Sequence, residues 1–153
     1  MQIPKEKALE KAAFYCSASE RCIWDVKKKL EAWELTEQDC NEIIRKLRQE
    51  GFVDEHRYCR AYVNDKSKYD KWGCQKIRYE LKKRNILDEI IQEALETIDS
   101  DANIERLTQL LALKRKSTKG KSEYEINQKL MRFAVGRGFL INDINKVLKT
   151  DYF

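Results

Sequence analysis

A chain of 153 residues with 31 Lys and Arg, 26 Asp and Glu, and a net charge of +5 has the size of about one ordinary domain. Its 14 Leu, 13 Ile, 5 Val and 5 Phe are enough apolar side chain for a core, while five Gly and one Pro are too few turn formers for a sandwich or barrel. The longest unbroken apolar run, Ala12 to Cys16, excludes a membrane span of about 20 residues and a signal-peptide core.

In chain order, the first predicted helix carries Ala8, Leu9, Ala12 and Ala13 on one face. It is followed by the apolar triplet Val26, Leu30 and Leu35, and then by Cys40, Ile43 and Ile44. These are the i, i+3, i+4 steps of a half-buried helix. The same sequence of events recurs with Tyr58, Ala61, Tyr62 and Val63, then Ile77, Leu81 and Ile86, then Ile91, Ala94 and Leu95. It recurs again with Ile104, Leu107, Leu110 and Leu111, then Leu130, Ala134 and Phe139, then Ile144, Val147 and Leu148. Val26 and Ile77 are 51 residues apart, and Ile77 and Leu130 are 53 apart.

Each triplet takes a four-residue step and then a five-residue step, and the residue before the closing position is Glu34, Asn85 or Gly138. Asn and Gly accept the left-handed backbone that ends a helix, so units two and three are expected to turn there. Ser17 with Glu20, Thr36 with Asp39 and Ser122 with Glu125 have capping-box spacing, and Asp88 and Asn142 are expected to cap the last helices of units two and three. The expected architecture is all-α, with three tandem three-helix repeats at residues 1–51, 52–101 and 102–153 stacked into an elongated body that can curve. The competing reading is one helical bundle with an accidental repeat.

Charge is uneven along this frame. Residues 1–53 balance to zero, 66–84 carry a net +6, 85–109 a net −6 and 114–137 again +6. The two basic blocks occupy equivalent places in units two and three. On one side of a stack they would attract a polyanion and release its counterions. Tyr69, Trp72, Tyr79 and Tyr124 are interleaved and are candidates for stacking on bases. The bland alternatives are solvated helix faces for the charge and core positions for Trp72 and Tyr79. Lys76, Arg78, Lys82, Lys83, Arg84, Lys129, Arg132 and Arg137 are the candidate contacts to acidic protein surface or phosphate.

Nothing points to an enzyme. The phosphate-binding glycine loops are absent, and Gly136-Arg137-Gly138 is too short to be one. The five cysteines (Cys16, Cys22, Cys40, Cys59 and Cys74) are odd in number and include no C-x-x-C pair, so neither a disulfide framework nor a zinc site is expected. They are expected to be small buried apolar residues in a reducing cytoplasm. The single histidine, His56, is expected on the surface at a helix start.

The stretch Gly51-Phe52-Val53-Asp54-Glu55-His56-Arg57-Tyr58 leading to Tyr62-Val63 resembles the signature of the bacterial RecX family. So does Trp72-Gly73 followed by Ile77, Leu81 and Ile86. So does Lys129-Leu130 through Arg132-Phe133 to Arg137-Gly138-Phe139, with Ile144 and Val147-Leu148 behind it. Asn85 stands where the family commonly has Gly, and unit one is the weakest match. The resemblance implies three three-helix units without catalytic residues, cofactor or metal. It implies a cytoplasmic modulator in DNA repair, recombination and the SOS response that binds the RecA filament on single-stranded DNA. There it restrains ATPase, strand-exchange and co-protease activities. The expected partners are RecA and single-stranded DNA, with duplex DNA as a further ligand; no membrane is expected, and the chain is expected to be a monomer. The alternative is a helical DNA-binding protein that acts without RecA.

Overall fold

A computed structural model describes residues 3–149. The first two and last four residues of the expected outer units lie outside them. Among the described residues there are nine α-helices and no strand. They are α1 (Lys5–Ala18), α2 (Ile23–Ala32), α3 (Glu37–Gln49), α4 (Glu55–Lys68), α5 (Cys74–Lys82), α6 (Asp88–Leu95), α7 (Ser100–Ser117), α8 (Glu123–Gly136) and α9 (Ile141–Leu148).

The apolar periodicity becomes three cores. Ala8, Ala12, Val26, Leu30, Cys40, Ile43 and Ile44 form the first; Cys59, Val63, Ile77, Leu81, Ile86, Ile91 and Ala94 the second; Leu107, Leu111, Leu130, Ala134, Phe139 and Ile144 the third. The extensive helix packings all fall within the triples α1–α3, α4–α6 and α7–α9. Accessible surface reaches 9753 Å². A globular monomer of 18.2 kDa would expose roughly 8,100 Å², so the triples are arrayed in an elongated body.

The closing turns share one backbone solution. Glu34, Asn85 and Gly138 have φ of 61°, 57° and 93°, so all three units reverse through a left-handed residue. Other helix starts depart from expectation. Ser17 lies inside the last turn of α1, and α2 instead begins at Cys22, whose backbone N–H donates to the Asp25 carboxylate at 3.3 Å. Asp88 and Asn142 are not caps. Leu87 and Leu140 hold the cap positions, Asp88 is the first helical residue and Asn142 the second. An acid in a first turn still meets the positive end of the helix dipole, so the stabilisation survives without a cap bond. Thr36 caps α3 by accepting from the Asp39 N–H at 3.2 Å. Ser122 caps α8 by accepting from the Glu125 N–H at 3.1 Å, while the Glu125 carboxylate reaches the Lys121 N–H rather than that of Ser122.

Neighbouring units are joined by one recurrent contact, in which the start of a second helix docks on the next unit. At the first junction Cys22 is fully buried in the second core, with Trp24 packed against it. The Ile23 N–H donates to the Glu55 carboxylate at 3.2 Å, and Arg57 Nε donates to the Glu20 carboxylate at 2.6 Å. At the second junction Gly73 N–H donates to the Arg137 carbonyl at 2.8 Å and Gln75 N–H to the Gly138 carbonyl at 3.0 Å. A Cβ on Gly73 would lie 2.4 Å from the Gly138 carbonyl carbon, and one on Gly138 would lie 2.4 Å from the Lys76 nitrogen. Two backbones touch where no side chain fits.

Gly138→Ala is expected to lower unfolding stability by about 2 kcal/mol or more through this overlap and its positive φ. Gly136→Ala, in open space on a helix, should be neutral or gain up to about 1 kcal/mol. Urea titration of both variants checks the contrast.

Asp54 caps α4 by accepting from the N–H groups of His56 and Arg57 at 3.0 and 3.1 Å. The Arg57 N–H bond is the leading cause of its lowered pKa. A depressed carboxylate stabilises the fold above its unfolded pKa and loses that contribution as pH falls through its folded pKa. Asp54→Ala should therefore cost about 1 kcal/mol at pH 7. Its melting curve should converge on that of the parent as the carboxylate protonates, which thermal melts across acidic pH will measure.

Candidate functional site

Cations and aromatic rings form a ladder along both unit junctions, and the two basic blocks meet at the second. Lys28 Nζ lies 3.7 Å from the Trp24 ring centroid. The Arg84 guanidinium lies 5.7 Å from Trp24 and 5.2 Å from Tyr62, which ties α2 to the end of α5 across the first junction. Lys66 follows, 5.5 Å from Tyr62 and 4.8 Å from Trp72, and then Lys76, 4.6 Å from Trp72. Lys76 abuts Gly138, whose neighbour Arg137 stands 5.3 Å from the Phe133 ring, with Lys114 at 4.8 Å from the same ring. Each such pair contributes on the order of 0.5–1 kcal/mol at exposed sites and limits the motion of the cation.

The eight candidate cations divide by what they touch. Lys76, Arg84 and Arg137 belong to the ladder and to the junctions. Arg84 Nη1 also donates to the Glu80 carbonyl at 2.7 Å, and Arg137 Nη1 to the Asp70 carbonyl at 2.8 Å. Arg78 turns onto the acidic α6 and hydrogen-bonds the Gln92 side chain. Lys82 pairs with Asp88 at 3.2 Å and Lys83 with Glu80 at 3.3 Å. Lys129 donates to the Lys119 carbonyl at 2.5 Å and lies 3.6 Å from Glu125. Arg132 is exposed and has no ion pair or hydrogen bond among the described residues. Surface pairs of this kind are worth about 0–1 kcal/mol, so a phosphate or a partner carboxylate can replace the local acid at little cost.

The aromatic candidates also separate. Trp72 is half-buried with two lysines over its ring and packs edge-on to Tyr62 at 6.5 Å, so its face is engaged within the chain. Tyr69, Tyr79 and Tyr124 are 77%, 63% and 64% exposed, against the core alternative for Tyr79. Trp24, Lys28, Lys66, Phe133 and Lys114 complete the ladder without having been singled out as contacts. The 51-residue offset, which places Trp24 opposite Gln75 beside the second junction, was the available signal for Trp24.

Four cysteines are buried and Cys74 is half-buried. Burial pushes the thiols of Cys22 and Cys59 up to about 12, so they stay protonated and unreactive at neutral pH. His56 is exposed, 3.7 Å from Glu93. Among the described residues no group of His, Cys, Asp and Glu could hold a metal, and no helix is long and apolar enough to cross a membrane.

Because Arg84 bridges two units, Arg84→Ala should lower stability by about 1–2 kcal/mol. Arg132→Ala should stay within about 0.5 kcal/mol of the parent. Equilibrium unfolding of the two variants separates junction cations from surface cations.

Comparison with known proteins places this architecture. Residues 54–95 match the family description "RecX, second three-helix domain", and 101–148 match "RecX, third three-helix domain"; together they cover more than half of the chain. Regulatory protein RecX of Clostridium acetobutylicum is 34% identical over 130 residues, covering 82% of this chain and 59% of that one. Its counterpart in Bacillus pumilus is 27% identical over 147 residues, covering 96% and 56%. The chain thus spans under three fifths of the length of these relatives. A crystal structure of regulatory protein RecX superposes with a TM-score of 0.86 at 25% identity, covering 95% of this chain and 71% of that one. RecX from Lactobacillus salivarius shares the fold at a TM-score of 0.84 and 23% identity, covering 95% and 94%. With its second and third units matched in register and a 34% identical relative across most of its length, the chain belongs to the RecX family of regulatory proteins.

Proposed function

We propose that this chain is a non-enzymatic, cytoplasmic modulator of the RecA recombinase. As a monomer it binds the RecA filament on single-stranded DNA and restrains ATP hydrolysis, strand exchange and co-protease activity. The observation that carries the reading is the set of cations and aromatic rings at both junctions of a RecX-family chain, joined across the first by Trp24 and Arg84 and across the second by Gly73–Gly138 and Arg137–Asp70 contacts that bring its two basic blocks together. An elongated body with units at 1–51, 52–101 and 102–153 spans neighbouring subunits of a polymer and resists the rearrangements that nucleotide turnover requires. Lys76, Lys82, Lys83, Lys129, Arg132 and Arg137 meet phosphate or acidic protein surface, while Arg78 and Arg84 support the units that present them.

A second reading, a DNA-binding protein acting without RecA, is favoured by the same ladder and by the exposed Tyr69. Six phosphate contacts would give a log–log salt slope of about −4 on single strands and about −5 on duplex.

The test is RecA-dependent ATP hydrolysis on single-stranded DNA with the chain titrated in, beside the variant Lys82→Glu, Lys83→Glu, Arg132→Glu. Slowing by the parent and several-fold weaker slowing by the variant are expected. An ATPase rate unchanged at several-fold excess of parent removes the RecA reading. Tight, salt-steep binding to bare DNA with no such slowing selects the second.

A further inference from the structure

The junctions follow a rule. In unit two, the face made by α4 and the end of α5 receives the start of α2: Trp24 packs on the core that contains Tyr58, and Arg84 stands between the Trp24 and Tyr62 rings. In unit three, the closing turn at Arg137 and Gly138 receives the start of α5. Arg137 is the counterpart of Arg84, 53 residues on. Subtracting the 51-residue offset maps Tyr58, Tyr62 and Arg84 onto Lys7, Lys11 and Trp33. The buried residues of the leading helices confirm the register, since Ala8, Ala12 and Cys16 stand opposite Cys59, Val63 and Ser67. Lys7, Lys11 and Trp33 line a groove between α1 and α2 together with Phe14, Tyr15 and Lys29. No described segment fills it, and Phe14 is 77% exposed.

The chemistry of this face differs from that of its counterparts. Two phenols of unit two are replaced by ammonium groups, and Lys29 adds a third, against Glu10 alone. Lys11 Nζ hovers 5.5 Å from the Trp33 ring. Arg21 lies 3.9 Å from the neighbouring Tyr15 ring. An occupant must supply an apolar anchor, as Trp24 does at the first junction, and carboxylates around it.

The start of α8 in a second copy does not qualify. Cys22 and Gly73 cap their helices four residues before Val26 and Ile77, but the equivalent position before Leu130 is Ile126, inside α8. An extra turn there, with Gly120 packed on Ile126, removes the protruding helix start that the other units use.

We propose that the α1–α2 face of unit one is an open acceptor that takes an acidic segment with an aromatic or aliphatic anchor from a partner protein. This surface is separate from the ladder and does not depend on the RecA reading. The probe is a fluorescein-labelled synthetic peptide carrying one Trp among Asp and Glu residues, titrated with the full chain and read by anisotropy. Amide chemical-shift mapping locates the contact. Saturable binding is expected, with shifts confined to α1 and α2 and a loss of about tenfold or more in both Phe14→Ser and Lys11→Glu. Both side chains are exposed, and circular-dichroism melts verify that the variants fold. Any of four results overturns the proposal: no saturation at millimolar chain, affinity unchanged in both variants, shifts elsewhere, or oligothymidine occupying the face in the peptide's place. A parent dimer abolished by Phe14→Ser would assign the face to a second copy and overturn it too.

Discussion

The architecture depends on the docking of one helix start onto the closing turn of the next unit. A unit of about fifty residues has too little interior to hide its own flank, so each stack needs this contact to complete its cores. At the first junction the contact is made with side chains, through buried Cys22, the Trp24 ring and the Arg84 guanidinium. At the second it is made with backbone, through Gly73 and Gly138. The same geometrical problem is thus solved once by filling space and once by vacating it. Both solutions fix the spacing of the cations that stand beside them.

That coupling of packing to charge explains why cations far apart in sequence gather at the two junctions. A lysine over an aromatic face keeps its charge and gives up rotamer freedom, so part of the ordering entropy is already lost before any partner arrives. The acidic α6 faces Arg78 and lies between the basic blocks in sequence, but the chain folds so that Arg137 donates to the Asp70 carbonyl and the Lys76 backbone abuts Gly138. Four thiols are buried, Cys22 among them at the first junction, Cys74 is half-buried, and the lone imidazole lies on the α4 surface.

Much of the fold was legible in the sequence because the relevant signals are local. Apolar steps of four and five residues, a left-handed Asn85 and a left-handed Gly138 specify helix, turn and helix without reference to anything distant. Glu34 in the same conformation was not legible, since that backbone costs a non-glycine residue about 1 kcal/mol or more and only the surrounding turn imposes it. Leu87 and Leu140 at cap positions escaped for a similar reason, as they hold the cap without any side-chain hydrogen bond. The site was less legible than the fold. Arg84 and Arg132 look alike in a charge count, yet one is wedged between two units and the other is open. Helix phase says which face a residue is on, whereas the neighbour that meets this face is set by long-range docking.

The narrowness of those junctions has a mechanical consequence. Because the extensive helix packing is confined within triples, bending strain concentrates at two places, near Cys22 and near Gly73. The chain is three internally packed triples linked by two narrow contacts of different kinds, one of side chains and one of backbone. The backbone-to-backbone joint is the harder, because no side chain there can re-rotamerise to absorb displacement. Any adjustment of one unit against the next must therefore displace backbone at the second contact, whereas at the first it can be taken up by the Trp24 and Arg84 side chains.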